Sequence, residues 1–477
     1  MTDTPLWQLG AAALAARTRA GDVTAEAAVG AAVARMRAVN PRLNAVVVDT
    51  GDAALERARA LDRARAAGAV PGPLHGVPVT IKINVDQAGQ ATSNGIPALK
   101  DFIAAADAPL VARLQEAGAV VIGRTNTPEF SFRADTDNPL HGRTHNPWGR
   151  HVSAGGSSGG AGAAVMAGMG ALAHGNDIGG SLRFPASANG AVTVKPGLGR
   201  VAAWNPSQTA ERGLLAQLMS VQGLIVREAA DLHLAMPVII APDPRDPWHV
   251  PLPWRGAPVE RPIRVGWTEA TWGFDLHPDV AAALRAARAA LADAGYAVER
   301  IDPPAMPEAA VEGYRALMTE VSHLLGPDID RLGSDTLKAI FVQNYAMAPP
   351  WGMDDYLRAL ARRTGYARAW SVLLERYPLV LTPFLPQPFF TPGRDAEGAE
   401  GLREALGSAL WSYAMNYLGL PAGNLPARLA EVPGRGPVPV GVQIVGRRWR
   451  EDLIVDAMVA VEDRLGRLAP ELWRRMG

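Results

Sequence analysis

Apolar positions in the first seventy residues recur at helical spacing. Thr24 precedes AEAAVGAAVARMRAV and offers the side-chain oxygen that a helix start needs; the pattern holds to Asn40-Pro41. Gly51-Asp52 opens a second Ala/Arg/Leu-rich helix that stops at Gly68, so residues 1–70 read as helical. The texture then changes. PGPLHGVPVTIKINV joins turn residues to a β-branched run, and Val77 to Val85 reads as a strand carrying Lys82. Pro109 to Ala117 is an amphipathic helix closed by Gly118, and AVVIG after it is a short buried strand. Strand, helix and strand at this spacing predict an α/β layer architecture.

Residues 153–190, SAGGSSGGAGAAVMAGMGALAHGNDIGGSLRFPASANG, are dominated by Gly, Ala and Ser. Val165, Met166, Met169 and Leu172 suit one helix face between two Gly-Ser turns, which favours order over a low-complexity linker. From 203 to 380 the pattern is mixed. AMPVII and PIRVGW read as strands, and PDVAAALRAARAALADAG and MDDYLRALARRTGYARAWSVLLER as long helices. YPLVLTPFLP and PVGVQIVG read as buried strands, with DLIVDAMVAVEDRL as a closing amphipathic helix. No internal repeat and no Pro/Gly/Ser linker divides the chain, so one large α/β domain with an inserted helical portion is expected.

Charge and composition narrow the function. Over 477 residues, 47 basic side chains balance 47 acidic ones, leaving no electrostatic footprint for nucleic acid or an anionic membrane. There is no cysteine, which excludes a thiol nucleophile, an iron–sulfur cluster, a Cys-ligated zinc and any disulfide framework. The start, MTDTPLWQLG, has no basic segment leading an apolar run, and no stretch of about 20 apolar residues occurs. A cytoplasmic protein is expected. The basic residues are nearly all arginine, and only Lys82, Lys100, Lys195 and Lys338 are lysines. An ammonium can lose its proton on burial and a guanidinium cannot, so a retained lysine asks for a reason.

Two clusters set serine beside consecutive glycines: Gly155-Gly156-Ser157-Ser158-Gly159-Gly160 and Asp177-Ile178-Gly179-Gly180-Ser181. Glycine lets backbone N–H groups converge on one point, as an oxyanion hole requires. Tight turns that need glycine only for packing would look the same. The first cluster lacks the Gly-Lys-Ser/Thr ending of a phosphate loop. It does satisfy GxSxG, which would make Ser157 the nucleophile of an α/β-hydrolase served by Asp231 with His233 or Asp275 with His277. That reading leaves the second cluster unexplained. His141 and His145 have the spacing of a helical metal pair, with His151 near, but Gly142 and the adjacent prolines oppose a helix and no metal is expected.

Lys82 in a strand, GGSSGGAGAAV and DIGGSLRFPASANGAVTVKP, in this order and spacing, resemble the amidase-signature family. The likeness extends to GRTNTPEF and DNPLHGRTHNPW upstream and to PVPVGVQIVGRRWRED downstream; residues 203–380 resemble nothing diagnostic. It implies a central mixed β-sheet covered by helices on both faces, in one domain spanning 1–477. Residues 1–70 would be its helical start, 71–202 the catalytic core, 203–380 a variable substrate-shaping region and 381–477 the rest of the core. The resemblance makes Ser181 the nucleophile, Ser157 a bridging serine on a cis peptide bond, and Lys82 the terminal base.

By the same likeness, backbone N–H groups of Ile178, Gly179, Gly180 and Ser181 would meet the oxyanion. Asp177 and Arg183 would brace that loop, and Ser158 would hydrogen-bond within the relay. Lys195 would be structural, and Ser131 and Phe132 would line the acyl pocket. Asn176 stands where many relatives have threonine, with its side chain expected outside the triad. Cleavage of a small-molecule amide or carbamate without a cofactor, by a monomer or homodimer acting on neither nucleic acid nor membranes, is the implied activity. The A-type component of a tRNA-dependent amidotransferase is the alternative within the family. The aromatic segment FVQNYAMAPPWGMDDY suggests a lid or pocket wall over a hydrophobic or aryl group.

Overall fold

Strand residues are divided between two apolar cores, and that division defines the architecture. In a computed structural model describing residues 4–477, Leu172, Leu224, Val226, Leu379 and Leu381 enter one core, while their neighbours Ala173, Ile225 and Val380 enter the other. Alternation with period two means that each strand buries both faces, so helices must cover the sheet on both sides. The start of the amino-terminal segment, Met1 to Asp3, lies outside the described residues.

The strands are β1 (Val46–Asp49), β2 (Pro78–Lys82), β3 (Val120–Thr125), β4 (Leu172–Asp177), β5 (Val192–Lys195), β6 (Val221–Val226), β7 (Arg264–Trp267), β8 (Ala297–Arg300), β9 (Leu379–Pro383), β10 (Ala422–Val432) and β11 (Gly436–Gly446). They form one 11-stranded sheet in the order β1-β3-β2-β4-β6-β5-β10-β11-β9-β7-β8. β2 runs parallel to both β3 and β4, whereas β4 and β6 are antiparallel, so the sheet is mixed. The expected α/β fold with helices on both faces is the fold observed. β6 lies near the middle of this sheet, so the segment beginning at 203 enters the core with its first strand.

The helix starting after Thr24 forms as predicted: the Thr24 hydroxyl accepts from Ala27 N at 3.0 Å, and the helix runs Ala25–Leu43 through Pro41. Four expectations need correction. Val46-Val47-Val48, inside the stretch read as helical, pairs with β3 because a β-branched run suits an edge strand. The helix expected to include Met169 and Leu172 ends at Met166, since Gly168 and Gly170 take left-handed φ values of 85° and 99°, and Leu172 opens β4. AMPVII is the end of a helix, Asp231–Ile239, whose buried Leu232, Ala235, Met236 and Ile239 recur at helical rather than strand period. A further helix, Ala469–Met476, follows the one expected to close the chain, and its Trp473 stacks edge-on against Trp7. Among the described residues no helix is long and apolar enough to cross a membrane.

Asp231, a candidate acid for Ser157 in the α/β-hydrolase reading, is 1% exposed and accepts from Ala11 N at 2.9 Å and Ala12 N at 2.8 Å. It thereby caps a helix 220 residues away in sequence. Asp231→Ala should lower the stability of the protein by about 1–2 kcal/mol, read as a lower midpoint in thermal or urea unfolding. An unchanged midpoint would contradict this capping role.

Candidate active site

β2 and β4 lie side by side and parallel, so their carboxyl ends bring Lys82 and Asn176-Asp177 to the same edge of the sheet. The Lys82 side chain is fully buried, with Nζ 2.7 Å from Ser157 Oγ and 2.8 Å from Asn176 Oδ1. Burial holds its ammonium well below the ordinary lysine value, against the pull of Asp177. Ser157 is 1% exposed and follows a cis peptide bond from Gly156. A Cβ on Gly156 would lie 2.3 Å from the Arg133 carbonyl oxygen, so only glycine fits there.

Ser181 is half-buried, and its hydroxyl has no hydrogen-bond partner among the described residues. Asp177 shapes the loop that carries it. The carboxylate accepts from Gly180 N at 2.7 Å and Leu182 N at 3.1 Å, and Asn416 Nδ2 donates to it at 2.9 Å. Arg183 grips both carboxylate oxygens, at 3.0 and 3.1 Å, and donates to Gln443 Oε1 at 2.9 Å. Burial alone would raise the Asp177 carboxyl, but Arg183 outweighs it, with help from Lys195 and Asn416, and holds it at about 2. Asp177 thus takes the Gly180 N–H away from the set of expected oxyanion donors. Among the described residues no hydrogen bond is made by the backbone N–H of Ile178, Gly179 or Ser181.

Ser181 sits where two cavities meet. One is a cleft of about 440 Å³ lined by Asn84, Ser157, Asn176, Trp204 and Leu324 among others. The second, about 50 Å³, is walled by Phe132, Phe184, Tyr314, Leu406 and Tyr413. Ser131 and Phe132 border both. The Ser131 hydroxyl is already engaged, accepting from Asn84 Nδ2 at 2.9 Å and donating to Asn94 Oδ1 at 2.6 Å.

Three expectations change. Asn176 is in direct contact with Lys82, because the last side chain but one of β4 faces the end of β2. Ser158 donates to the Asn176 carbonyl at 3.4 Å rather than joining Ser157. The segment FVQNYAMAPPWGMDDY lines neither cavity; it packs behind one wall, with Phe341 5.1 Å from Phe132. The cleft is shaped instead by residues 203–222 and by the helix Met306–Leu324, whose Leu317, Val321 and Leu324 reach it. Their helical spacing is that of any core face, so the sequence carried no signal for this role.

The histidines are dispersed. His233 pairs with Asp456, His277 Nδ1 accepts from Asp279 N, and His151 Nε2 lies against the Pro437 carbonyl. Asp231 serves a helix terminus, so neither proposed acid–histidine pair serves Ser157. Lys195 is fully buried and donates to the Pro196 carbonyl, outside both cavities. Because Lys82 titrates lower when folded than its unfolded value of about 10.4, the native state loses stability as pH falls below that value. Lys82→Met lacks this loss. Its stability relative to the unsubstituted protein should be greater by about 1 kcal/mol or more near pH 7 than near pH 10, measured by urea unfolding. An equal difference at the two pH values would show that the amine remains charged.

A family model described as Amidase matches residues 27–455. The chain is 46% identical over 473 residues to an indoleacetamide hydrolase of Bradyrhizobium diazoefficiens, covering 99% of this chain and 89% of that protein. It is 33% identical to an acylamidase of Rhodococcus erythropolis, over 94% of this chain and 95% of that protein. The A component of the glutamyl-tRNA(Gln) amidotransferase of Moorella thermoacetica is 34% identical, over 94% of this chain and 96% of that one. Among solved structures, 6-aminohexanoate cyclic dimer hydrolase in complex with its substrate superposes with a TM-score of 0.83 at 28% identity, over 98% of this chain and all of the other.

Proposed function

The chain belongs to the amidase-signature family and hydrolyses amide carbon–nitrogen bonds, and from that premise we propose that Ser181 is the nucleophile, Ser157 the proton relay and Lys82 the base. The observation that carries this reading is the 2.7 Å contact between a fully buried lysine amine and Ser157, beside a second serine whose hydroxyl is unengaged. A neutral Lys82 accepts the Ser157 proton as Ser157 takes that of Ser181, whose oxygen attacks the amide carbon. The oxyanion is met by the N–H groups of Ile178, Gly179 and Ser181. Each such donor contributes a factor of about a hundred to a thousand in rate. Ser157 then returns the proton to the departing nitrogen, and water releases the acyl group by the same route.

The leaving nitrogen must lie on the side of Ser157, which lines the large cleft and not the small cavity. The amine portion therefore takes the 440 Å³ cleft and the acyl portion the apolar 50 Å³ cavity. Among the described residues the one charged side chain of that cavity is Arg133, whose Nε and Nη2 donate to the two oxygens of Asp395 at 3.1 and 2.8 Å. Its charge is thereby already balanced by a buried carboxylate, which weakens its claim on the α-carboxylate of glutamine. This favours hydrophobic or aryl amides, and aryl carbamates of like shape, over the glutaminase role of an amidotransferase component.

Ser181→Ala should abolish labelling by a fluorophosphonate and all amide turnover, while Ser157→Ala keeps a slow residual rate. Labelling at Ser157 in place of Ser181, read by mass spectrometry of the inhibited protein, would reverse the assignment. In a panel of 4-nitroacetanilide, a simple aryl carbamate, indoleacetamide and glutamine, 4-nitroacetanilide, with its small acyl group and aryl amine, should have a higher kcat/KM than glutamine, and the ratio for indoleacetamide tests whether the acyl cavity admits a bicyclic group. Preference for glutamine would favour the amidotransferase reading.

A further inference from the structure

A line of polar side chains leads from the buried amine to the wall of the cleft. Asn176 Oδ1 lies 2.8 Å from Lys82 Nζ, and Asn176 Nδ2 donates to Asn84 Oδ1 at 3.0 Å. Asn84 Nδ2 donates in turn to Asn176 Oδ1 at 3.3 Å and to Ser131 Oγ at 2.9 Å. Ser131 gives its single hydrogen to Asn94 Oδ1. Its backbone and that of Phe130 are left-handed, with φ of 56° and 54°, a conformation that non-glycine residues hold only where surrounding contacts impose it.

This arrangement resolves an ambiguity in the amine. A neutral amine has two N–H groups and one lone pair, and rotation about its last bond would let either point at Ser157. Only the lone pair can receive a proton. We propose that Asn176, held in orientation by Asn84 and Ser131, is a positioning residue that accepts one N–H of Lys82 and so turns its lone pair toward Ser157. The inference rests on the assignment of Lys82 as the base. Rotating the Asn176 amide by half a turn would set its NH₂ against the amine and its oxygen against Asn84 Oδ1. Asn84 would then have to turn as well and present oxygen to Ser131, whose hydrogen is already given to Asn94. In the orientation described each of these donors meets an acceptor, and Thr127 Oγ1, 2.9 Å from Ser131 Oγ, completes the shell of that hydroxyl.

The charged and titratable groups around Lys82 leave this neutral contact as its direct neighbour. On β4, Asp177 is paired with Arg183, and His174 is kept neutral by burial, its value brought down to about 3, while its Nε2 faces Gln222 Oε1. On β3, Arg124 donates to the Lys82 carbonyl at 3.3 Å, on the backbone rather than the amine. No carboxylate touches Nζ among the described residues. Asn176→Asp would place one there.

The test compares the pH dependence of kcat/KM for an amide in the unsubstituted protein, Lys82→Ala, Asn176→Asp and Asn84→Ala. Lys82→Ala should abolish turnover; if turnover persists, the base assignment falls and this inference with it. With that established, Asn176→Asp should move the acid limb upward by about one unit or more, lowering activity near neutrality about tenfold and restoring it at high pH. A uniform loss at all pH values, or an unmoved limb, overturns the proposal. Asn84→Ala, which does not touch Lys82, should reduce kcat with KM nearly unchanged, and an unaltered kcat removes Asn84 from the role. Should Asn176→Asp fail to fold by circular dichroism, Asn84→Asp is read in its place: it should raise the limb in the same direction by less, and an unmoved limb again overturns the proposal.

Discussion

A lysine amine taken fully out of water must be neutral or paired with a carboxylate, and the site around Lys82 is built on the first alternative. Its two hydrogen-bond neighbours, Ser157 and Asn176, are both uncharged. The nearest acid able to hold a proton on it, Asp177, is committed to Arg183. Asp177 already pulls the amine toward its charged form, and without Arg183 that pull would be stronger. The buried ion pair thus favours the lowered basicity of the amine buried on the neighbouring strand.

The same ion pair governs the nucleophile loop. Five donors, from Gly180, Leu182, Arg183 twice and Asn416, fill the acceptor positions of one carboxylate. With the Gly180 N–H drawn inward, its φ is 132° and a Cβ there would strike Phe184 at 2.4 Å, so the position admits only glycine. One interaction therefore holds the backbone of the loop that carries Ser181.

Much of this was legible in the chain. Alternating and helical periods located most elements, and the two Gly-Ser clusters with a rare lysine upstream pointed to three side chains that the fold brings to one cleft. Errors arose where two periods fit one segment, as at AMPVII, or where glycines ended a helix early, as at Gly168 and Gly170. The role of Asn176 could not be read, because the side chain is adjacent to Lys82 only through the parallel pairing of β2 with β4, and strand order is not written in either strand. The walls of the cleft were hidden for a different reason. Leu317, Val321 and Leu324 lie on a helix whose apolar face also builds the core, so periodicity reports burial without telling core from cavity.

The two buried lysines show why depressed basicity alone does not identify a base. Burial, with Arg183, brings Lys195 down to about 7, where a general base for neutral conditions would be placed. By titration it rivals Lys82. Yet its amine donates to the Pro196 carbonyl, it borders neither cavity, and Asp177 and Glu451 act on it from within the core. A proton it accepted would have no path to a substrate. Lys82 differs in having a hydroxyl at 2.7 Å that itself opens onto the cleft containing Ser181. The rarity of lysine in this chain raised both residues as candidates, and only geometry separates the one that can transfer a proton from the one that fills a polar gap in the core.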